Sequence, residues 1–438
     1  MVSPQRQREI VDALRRGTVP QRSLDTFAVG LDRFQDAIDR ELDLVGAGGS
    51  VFKAVRGEYG SGKTFFARWL QERAKQRGFA TSEVQISETE TPLHRLETVY
   101  RRLMERLSTR DTEQGAFRQI IDGWFYTLEE DVLAGGDIDA SEGAKLLERT
   151  DELMEQRLAA VTRTAPMFSA ALRGYRRAVS TGETAIADGL LAWLAGQPNV
   201  GASAKRFAGI KGDVDHFGAL SFLQGLLVVL KDSGHTGLVL VLDEVETLQR
   251  VRGDVRDKGL NALRQLIDEV DAGRFPGLYL LVTGTPPFYD GPQGVQRLAP
   301  LAQRLHVDFG TDARYDNPRA VQIRLSGFDL TSLAEVGINI RNIFADCSPN
   351  EDRIRKVAGD DYIRQLAQAV TGNLGGRVGI APRIFLKKLV ADILDRIDQY
   401  PDFDPRQHYS LTLQPAELNE FERHAAGAAT VDDIELQL

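Results

Sequence analysis

The sequence predicts an α/β fold, a parallel sheet with helices on both faces, interrupted by a large all-helical insertion and followed by a small helical region. Three stretches of its 438 residues predict this. "VFKAVRGEYGSGKTFFARWL" (51–70) runs a short strand into a glycine-punctuated loop and then an apolar-faced helix. "GLVLVLDEVETLQ" (237–249) places five apolar residues in a row before Asp243 and Glu244, and "GLYLLVTGT" (277–285) is a second apolar run ending in threonines. Runs of this length read as strands buried on both faces, as parallel central strands are.

The first element carries the chemistry. Gly57 to Thr64 reads G-E-Y-G-S-G-K-T, which matches G-x-x-x-x-G-K-[ST], the phosphate loop of P-loop NTPases. Gly57, Gly60 and Gly62 are expected to let the backbone take positive φ and approach phosphates closely. The N–H groups of Glu58, Tyr59 and Ser61, with the start of the following helix through Phe65, would form a donor surface for the phosphates of ATP. Lys63 would reach the β- and γ-phosphates and the Thr64 hydroxyl would ligate Mg²⁺. Phe66, Trp69 and Leu70 recur at helical spacing, with Gly78 as a stop. The alternative is a plain glycine turn between strand and helix.

The second apolar run predicts a strand whose carboxyl end delivers acids into the ligand crevice of an open α/β sheet. Asp243 is expected to hold the metal and Glu244 to act as general base on the attacking water; solvated strand-end acids are the alternative. "ATSEVQISE" (80–88) alternates as a strand and is expected to lie between these two motifs in the sheet. After the helix "DKGLNALRQLIDEVDAG", Thr283 and Thr285 end the third strand. Either would bond the attacking water or the γ-phosphate, or both are turn residues.

This order resembles the AAA+ class, particularly its origin-recognition-like and STAND-like branches. The resemblance implies a sensor role for Thr283 or Thr285. It also implies an arginine at a helix end just before the last core strand that reaches a neighbouring subunit's nucleotide. "GVQRLAPLAQRLHVDF" supplies Arg297 and, better placed, Arg304, so a homo-oligomer is expected. Arginine suits the task because its planar fork pairs bidentately with phosphate oxygens; a surface arginine at a helix end is the alternative. Arg383 in "APRIFLKKL", just after a helix-starting Pro382, stands where the class keeps a second sensor. Val19 and Pro20, with Val29 and Gly30, fall where the class lays a segment over adenine.

The chain is expected to divide into 1–110 (N-terminal segment and first half of the core), 111–212 (helical insertion), 213–325 (second half of the core), 326–400 (helical lid) and 401–438 (tail). In the insertion, Phe117, Ile120, Ile121, Trp124 and Leu128 keep helical spacing, while Arg163, Arg173, Arg176 and Arg177 form a modest basic run. That run would meet an acidic partner or nucleic acid, or simply face solvent. The segment after the lid is short for a winged-helix DNA-binding domain.

Composition narrows the function classes. A net charge of −9 argues against general electrostatic binding to DNA, leaving only a local basic patch for that role. The single cysteine, Cys347, excludes an internal disulfide or a thiolate metal cluster, and the six histidines have no ligand spacing. No stretch has the roughly 20 apolar residues of a membrane span and no secretory leader opens the chain, so a cytoplasmic location is expected.

More particular phrases point further. "ALRRGTVPQRSLDTFAVG", "VQISETETPLHRLETVYRRL", "LVTGTPPFYDGPQGVQRLAP" and "APRIFLKKLV" together resemble the ATP-binding protein family BrxD of BREX phage-defence systems, across roughly residues 7–415. The resemblance implies a bacterial cytoplasmic ATPase acting beside other defence proteins, a helicase-like one among them, on or near DNA. A nucleotide-gated, STAND-like scaffold with slow turnover and no DNA contact of its own is the other reading.

Overall fold

The computed structural model describes residues 3–136, 141–373, 382–414, 416–418 and 423. Five parallel strands form the sheet: β1 (Val51–Arg56), β2 (Ala80–Gln85), β3 (Leu238–Asp243), β4 (Leu278–Gly284) and β5 (Gln322–Arg324), in the order β2-β3-β4-β1-β5. The strand between β1 and β3 is therefore β4, and β2 lies at the edge, which corrects the expected order. Burial gives the reason. All seven residues of β4 are buried, as a central strand requires, whereas β2 leaves Glu83 half-buried and Gln85 exposed.

Side chains alternate across the sheet. Val55, Val239, Val241, Tyr279, Leu281 and Ile323 face one layer, formed by the helix Lys63–Gln76, the N-terminal helices Pro4–Arg15 and Asp32–Gly46, and the helices that follow β5. Ala54, Leu240, Leu242, Leu280 and Val282 face the other, where Leu96–Glu105, His216–Asp232 and Gly253–Asp271 pack.

Six helices lie between Phe117 and Phe207, and no strand occurs there among the described residues. Phe117, Ile120, Ile121, Trp124 and Leu128 are all buried, and the Trp124 indole donates to Asp232 at 2.6 Å, tying these helices to His216–Asp232. Three of the four arginines of the basic run are engaged within the chain, while Arg163 is exposed. Arg176 is buried against Asp151 and Glu129, Arg173 pairs with Glu155, and Arg177 donates to the Phe207 carbonyl.

"HVDF" (306–309) forms no strand. Sixteen residues separate Leu305 from β5 at Gln322, and Phe309 sits between the guanidinium groups of Arg56 and Arg324 at 4.8 and 5.1 Å. Beyond β5 come the helices Leu330–Asp346, opened by a capping box of Asp329 and Ser332, Glu351–Val357 and Asp360–Asn373. The last long helix starts at Pro382, passes through a π-helical stretch over Lys388–Leu394 and ends at Gln399. Pro4–Arg15 packs against Leu330–Asp346 and Pro382–Lys387, so the first helix shares one layer with the helices that follow β5. Most of the glycine-rich stretch at 372–380 and the acidic tail at 431–438 lie outside the described residues. Among the described residues no helix is long and apolar enough to cross a membrane.

Candidate functional site

β1 delivers the loop 57–62 to the carboxyl edge of the sheet, and the helix Lys63–Gln76 departs from it. Gly60 and Gly62 have φ of +80° and +91°, a region that suits glycine. Gly57 is needed for a different reason than the expected positive φ: a Cβ there would lie 2.2 Å from the Ser61 hydroxyl oxygen. Among the described residues the buried Ser61 Oγ has no hydrogen-bond partner. The Lys63 ammonium is drawn into the loop, donating to the Gly57 and Glu58 carbonyls at 2.8 and 3.2 Å, with the Tyr59 ring 5.1 Å away. Burial pushes the Lys63 pKa down. Four carboxylates oppose that loss, Glu246 most strongly, then Asp243, Glu58 and Glu244.

Register does the rest. Because β4 lies between β1 and β3, Thr283 reaches the end of β3, where its hydroxyl donates to Asp243 Oδ1. Thr64 Oγ1 donates to Asp243 Oδ2 at 3.2 Å. Asp243 is thus shared by the strand-end threonine and the first turn of the loop's helix, at 4% exposure. Burial raises its pKa while the Thr283 hydroxyl counters. The Glu244 amide donates to both Thr283 Oγ1 and Asp243 Oδ1, at 3.2 and 3.1 Å. Glu244 adopts φ +60°, unusual for a residue with a side chain, and its carboxylate accepts from Gln85 Nε2 at 2.9 Å.

The oxygens of Thr64 and Asp243 converge beside a cationic lysine and glycine-backed amides, a donor and acceptor set that fits a phosphate chain with a hard cation. Among the described residues no three His, Cys, Asp or Glu side chains gather into a metal cluster of their own.

A family model described as "BREX system ATP-binding protein BrxC/D" matches residues 2–413. The chain belongs to this family. No curated protein matches it. Membership makes it an ATP-binding protein of the BREX system, and the resemblance drawn from its phrases holds.

The other expected residues of this BrxC/D family member are placed as follows. Thr285 is buried at the start of the short helix Pro286–Asp290, and its hydroxyl makes no side-chain hydrogen bond among the described residues. Phe65 packs edge-on to Phe27 at 5.3 Å. The Val19 carbonyl accepts from Arg68 at 2.7 Å, and Glu72 accepts from the amides of Ser23 and Leu24, so the segment holding Val19 and the buried Pro20 runs along the loop's helix. Arg304 lies in an ion pair with Asp268 at 2.5 Å and donates to the Pro300 carbonyl, while Arg297 pairs with Asp257. Arg383 donates to the Glu417 carbonyl at 2.7 Å and lies against Gly17.

Two residues of the site escape the sequence reading. Gln85 looks like an ordinary polar strand end until the register pairs it with Asp243. Glu246, in the 3₁₀ turn Val245–Gln249, is 4% exposed. The available signal was a third acid set between Val245 and Leu248, both of which are buried.

Proposed function

We propose that the chain is a magnesium-dependent ATPase of AAA+ type that works as a switch or motor beside other proteins of the BREX system. One observation carries the reading: Asp243 is bonded on one side to Thr64 and on the other to Thr283, next to the loop that enfolds Lys63. That is the arrangement needed to hold a cation against a triphosphate while presenting a polar group to the γ-phosphate. The strand order, with β4 inserted between β1 and β3, supports it as well.

In this reading the loop 57–65 binds the phosphates, Lys63 stabilises the charge on the transferred group, and Thr64 with Asp243 would hold Mg²⁺, which supplies charge neutralisation. Glu244 accepts the proton of the attacking water once Gln85 releases it, and Thr283 orients that water, with Thr285 behind it. Arg304 acts across a subunit boundary, Arg383 from the helical lid at 326–400, and Val19 and Pro20 line the base. Residues 111–212 form the insertion that selects partners, placed between core halves 1–110 and 213–325, and 401–438 form the tail. Contact with DNA, where it occurs, runs through a partner, since three of the insertion's four run arginines, Arg173, Arg176 and Arg177, are engaged in intrachain bonds.

A second reading, a nucleotide-gated scaffold of slow turnover, is favoured by one observation: both candidate trans-acting and lid arginines are bonded within the chain. Steady-state ATP hydrolysis across a protein concentration series, with and without duplex and single-stranded DNA, separates the two. Turnover per chain that rises with concentration supports the assembling ATPase; ATP bound with flat, slow turnover supports the scaffold. Lys63→Ala removes charge-assisted bonds of about 1.5–3 kcal/mol each and is expected to abolish ATP binding in either case. Retained ATP affinity in that variant would remove the phosphate-loop assignment.

A further inference from the structure

Asp243 is bonded to Thr64 and Thr283, and Glu244 accepts from Gln85, but Glu246 has no such partner. Apart from its own backbone amide, neither of its carboxylate oxygens is hydrogen-bonded among the described residues. Buried carboxylates are ordinarily paired, because taking a charge out of water is costly, and an unpaired one calls for a reason.

Its charged surroundings supply the reason. Glu244, in the left-handed region, turns the chain between the two acids. Glu244 reaches outward to β2, whereas the groups that feel Glu246 are Lys63 and Tyr59 of the phosphate loop and the buried Tyr289 after β4. Of the carboxylates acting on Lys63, Glu246 acts most strongly. Lys63 makes no ion pair within the loop, and two of its three ammonium hydrogens go to the carbonyls of Gly57 and Glu58.

We propose that Glu246 is a specificity-determining residue, a resident anion that balances Lys63 in the empty loop and opposes incoming phosphate charge, so that it sets how steeply affinity depends on the number of phosphates. This rests on the nucleotide reading above. Like charges repel several times more strongly in a buried setting than in water, and salt screens them less there. Each added phosphate brings more negative charge to the loop, so the opposition grows from AMP through ADP to ATP. Glu246 thereby weakens binding of the triphosphate more than that of the diphosphate.

The test is equilibrium binding of AMP, ADP and ATP to the full chain carrying Glu246→Gln, Glu246→Met or Glu246→Asp. It is made at pH 8, because burial raises this carboxyl to about 7 and the charge must be present. The two neutral variants are expected to bind ATP about tenfold tighter, a step of about 1.4 kcal/mol, with a smaller gain for ADP and none for AMP. The aspartate variant stays close to the wild type. Equal or weaker ATP binding by a neutral variant that still melts cooperatively overturns the proposal, as does a gain of the same size for all three nucleotides, which would mean repacking. A folded wild type that binds none of the three removes the nucleotide reading and this inference together. A wild type that binds ATP, with no graded gain in the variants, removes this inference alone.

Discussion

At the carboxyl ends of β1, β3 and β4, Lys63, Thr64, Asp243 and Thr283 bond to one another or to the loop between them, whereas Arg304 and Arg383 each give their guanidinium to another part of the same chain. Parallel register fixes the first group. Thr283 meets Asp243 because β3 and β4 are neighbours, whatever else the protein binds. The arginines sit on helices packed over the two faces of the sheet and not at its strand ends. Arg304 is more than a third exposed, and a solvent-facing ion pair such as its bond to Asp268 contributes about 0–1 kcal/mol. That is little to give up for a bidentate phosphate contact. Under the proposed function the strand-end cluster is the fixed engine, and the arginines are groups whose partners exchange.

The sharpest way to break that contrast is Glu244→Gln. If the cluster is the engine, ATP binding is retained while turnover falls about 10²–10⁴-fold, the size of a lost general base. Single-turnover kinetics with a parallel affinity measurement checks both. Equal turnover in variant and wild type would reject Glu244 as the base.

Arg304→Ala tests the exchangeable half. Where the arginine acts across a boundary, the variant loses the part of its turnover that rises with protein concentration and keeps the slow rate of dilute protein, with ATP affinity nearly unchanged. An arginine finger is worth up to about 10³-fold or more when fully engaged, and less where assembly is partial. A concentration series for the two proteins that superimposes would leave Arg304 as the helix-end partner of Asp268 and nothing more.

The same contrast explains what was legible in the sequence. Lys63, Thr64 and Asp243 are read from local patterns because a phosphate loop and an apolar strand ending in acids are local structures. Thr283 was legible as a strand end. The placement of β2 at the edge was not, because chain order does not give sheet order; the signal was there in the half-polar "ATSEVQ" against the wholly apolar body of β4. Gln85 becomes visible only with that edge register, and Glu246 only once Glu244 is known to reverse the chain. The last strand was expected just after Arg304, yet Phe309 is captured between two arginines and the strand forms at Gln322 instead. Arg176 looked like a solvated base because nothing local says that Asp151 and Glu129 fold over it.

Thr283→Val is the mildest of the changes and the most informative about how the engine is held. Valine keeps the shape and removes the hydroxyl that donates to Asp243 Oδ1 and accepts from the Glu244 amide. A buried hydrogen bond lost this way costs about 1–3 kcal/mol, so the thermal midpoint should drop by a few degrees for a chain of this size. The hydroxyl also lowers the Asp243 pKa against the burial that raises it, so in the variant Asp243 takes up a proton at higher pH than in the wild type. A cation needs the ionised form, and Mg²⁺-supported ATP binding should therefore weaken toward acid earlier in Thr283→Val, with turnover at pH 8 lowered about 10²-fold, the lower end for a positioned polar group. A variant with the wild-type acid limb and wild-type turnover would mean that Thr64 alone steadies Asp243, and that the hydroxyl between the two strands is a packing bond of the sheet.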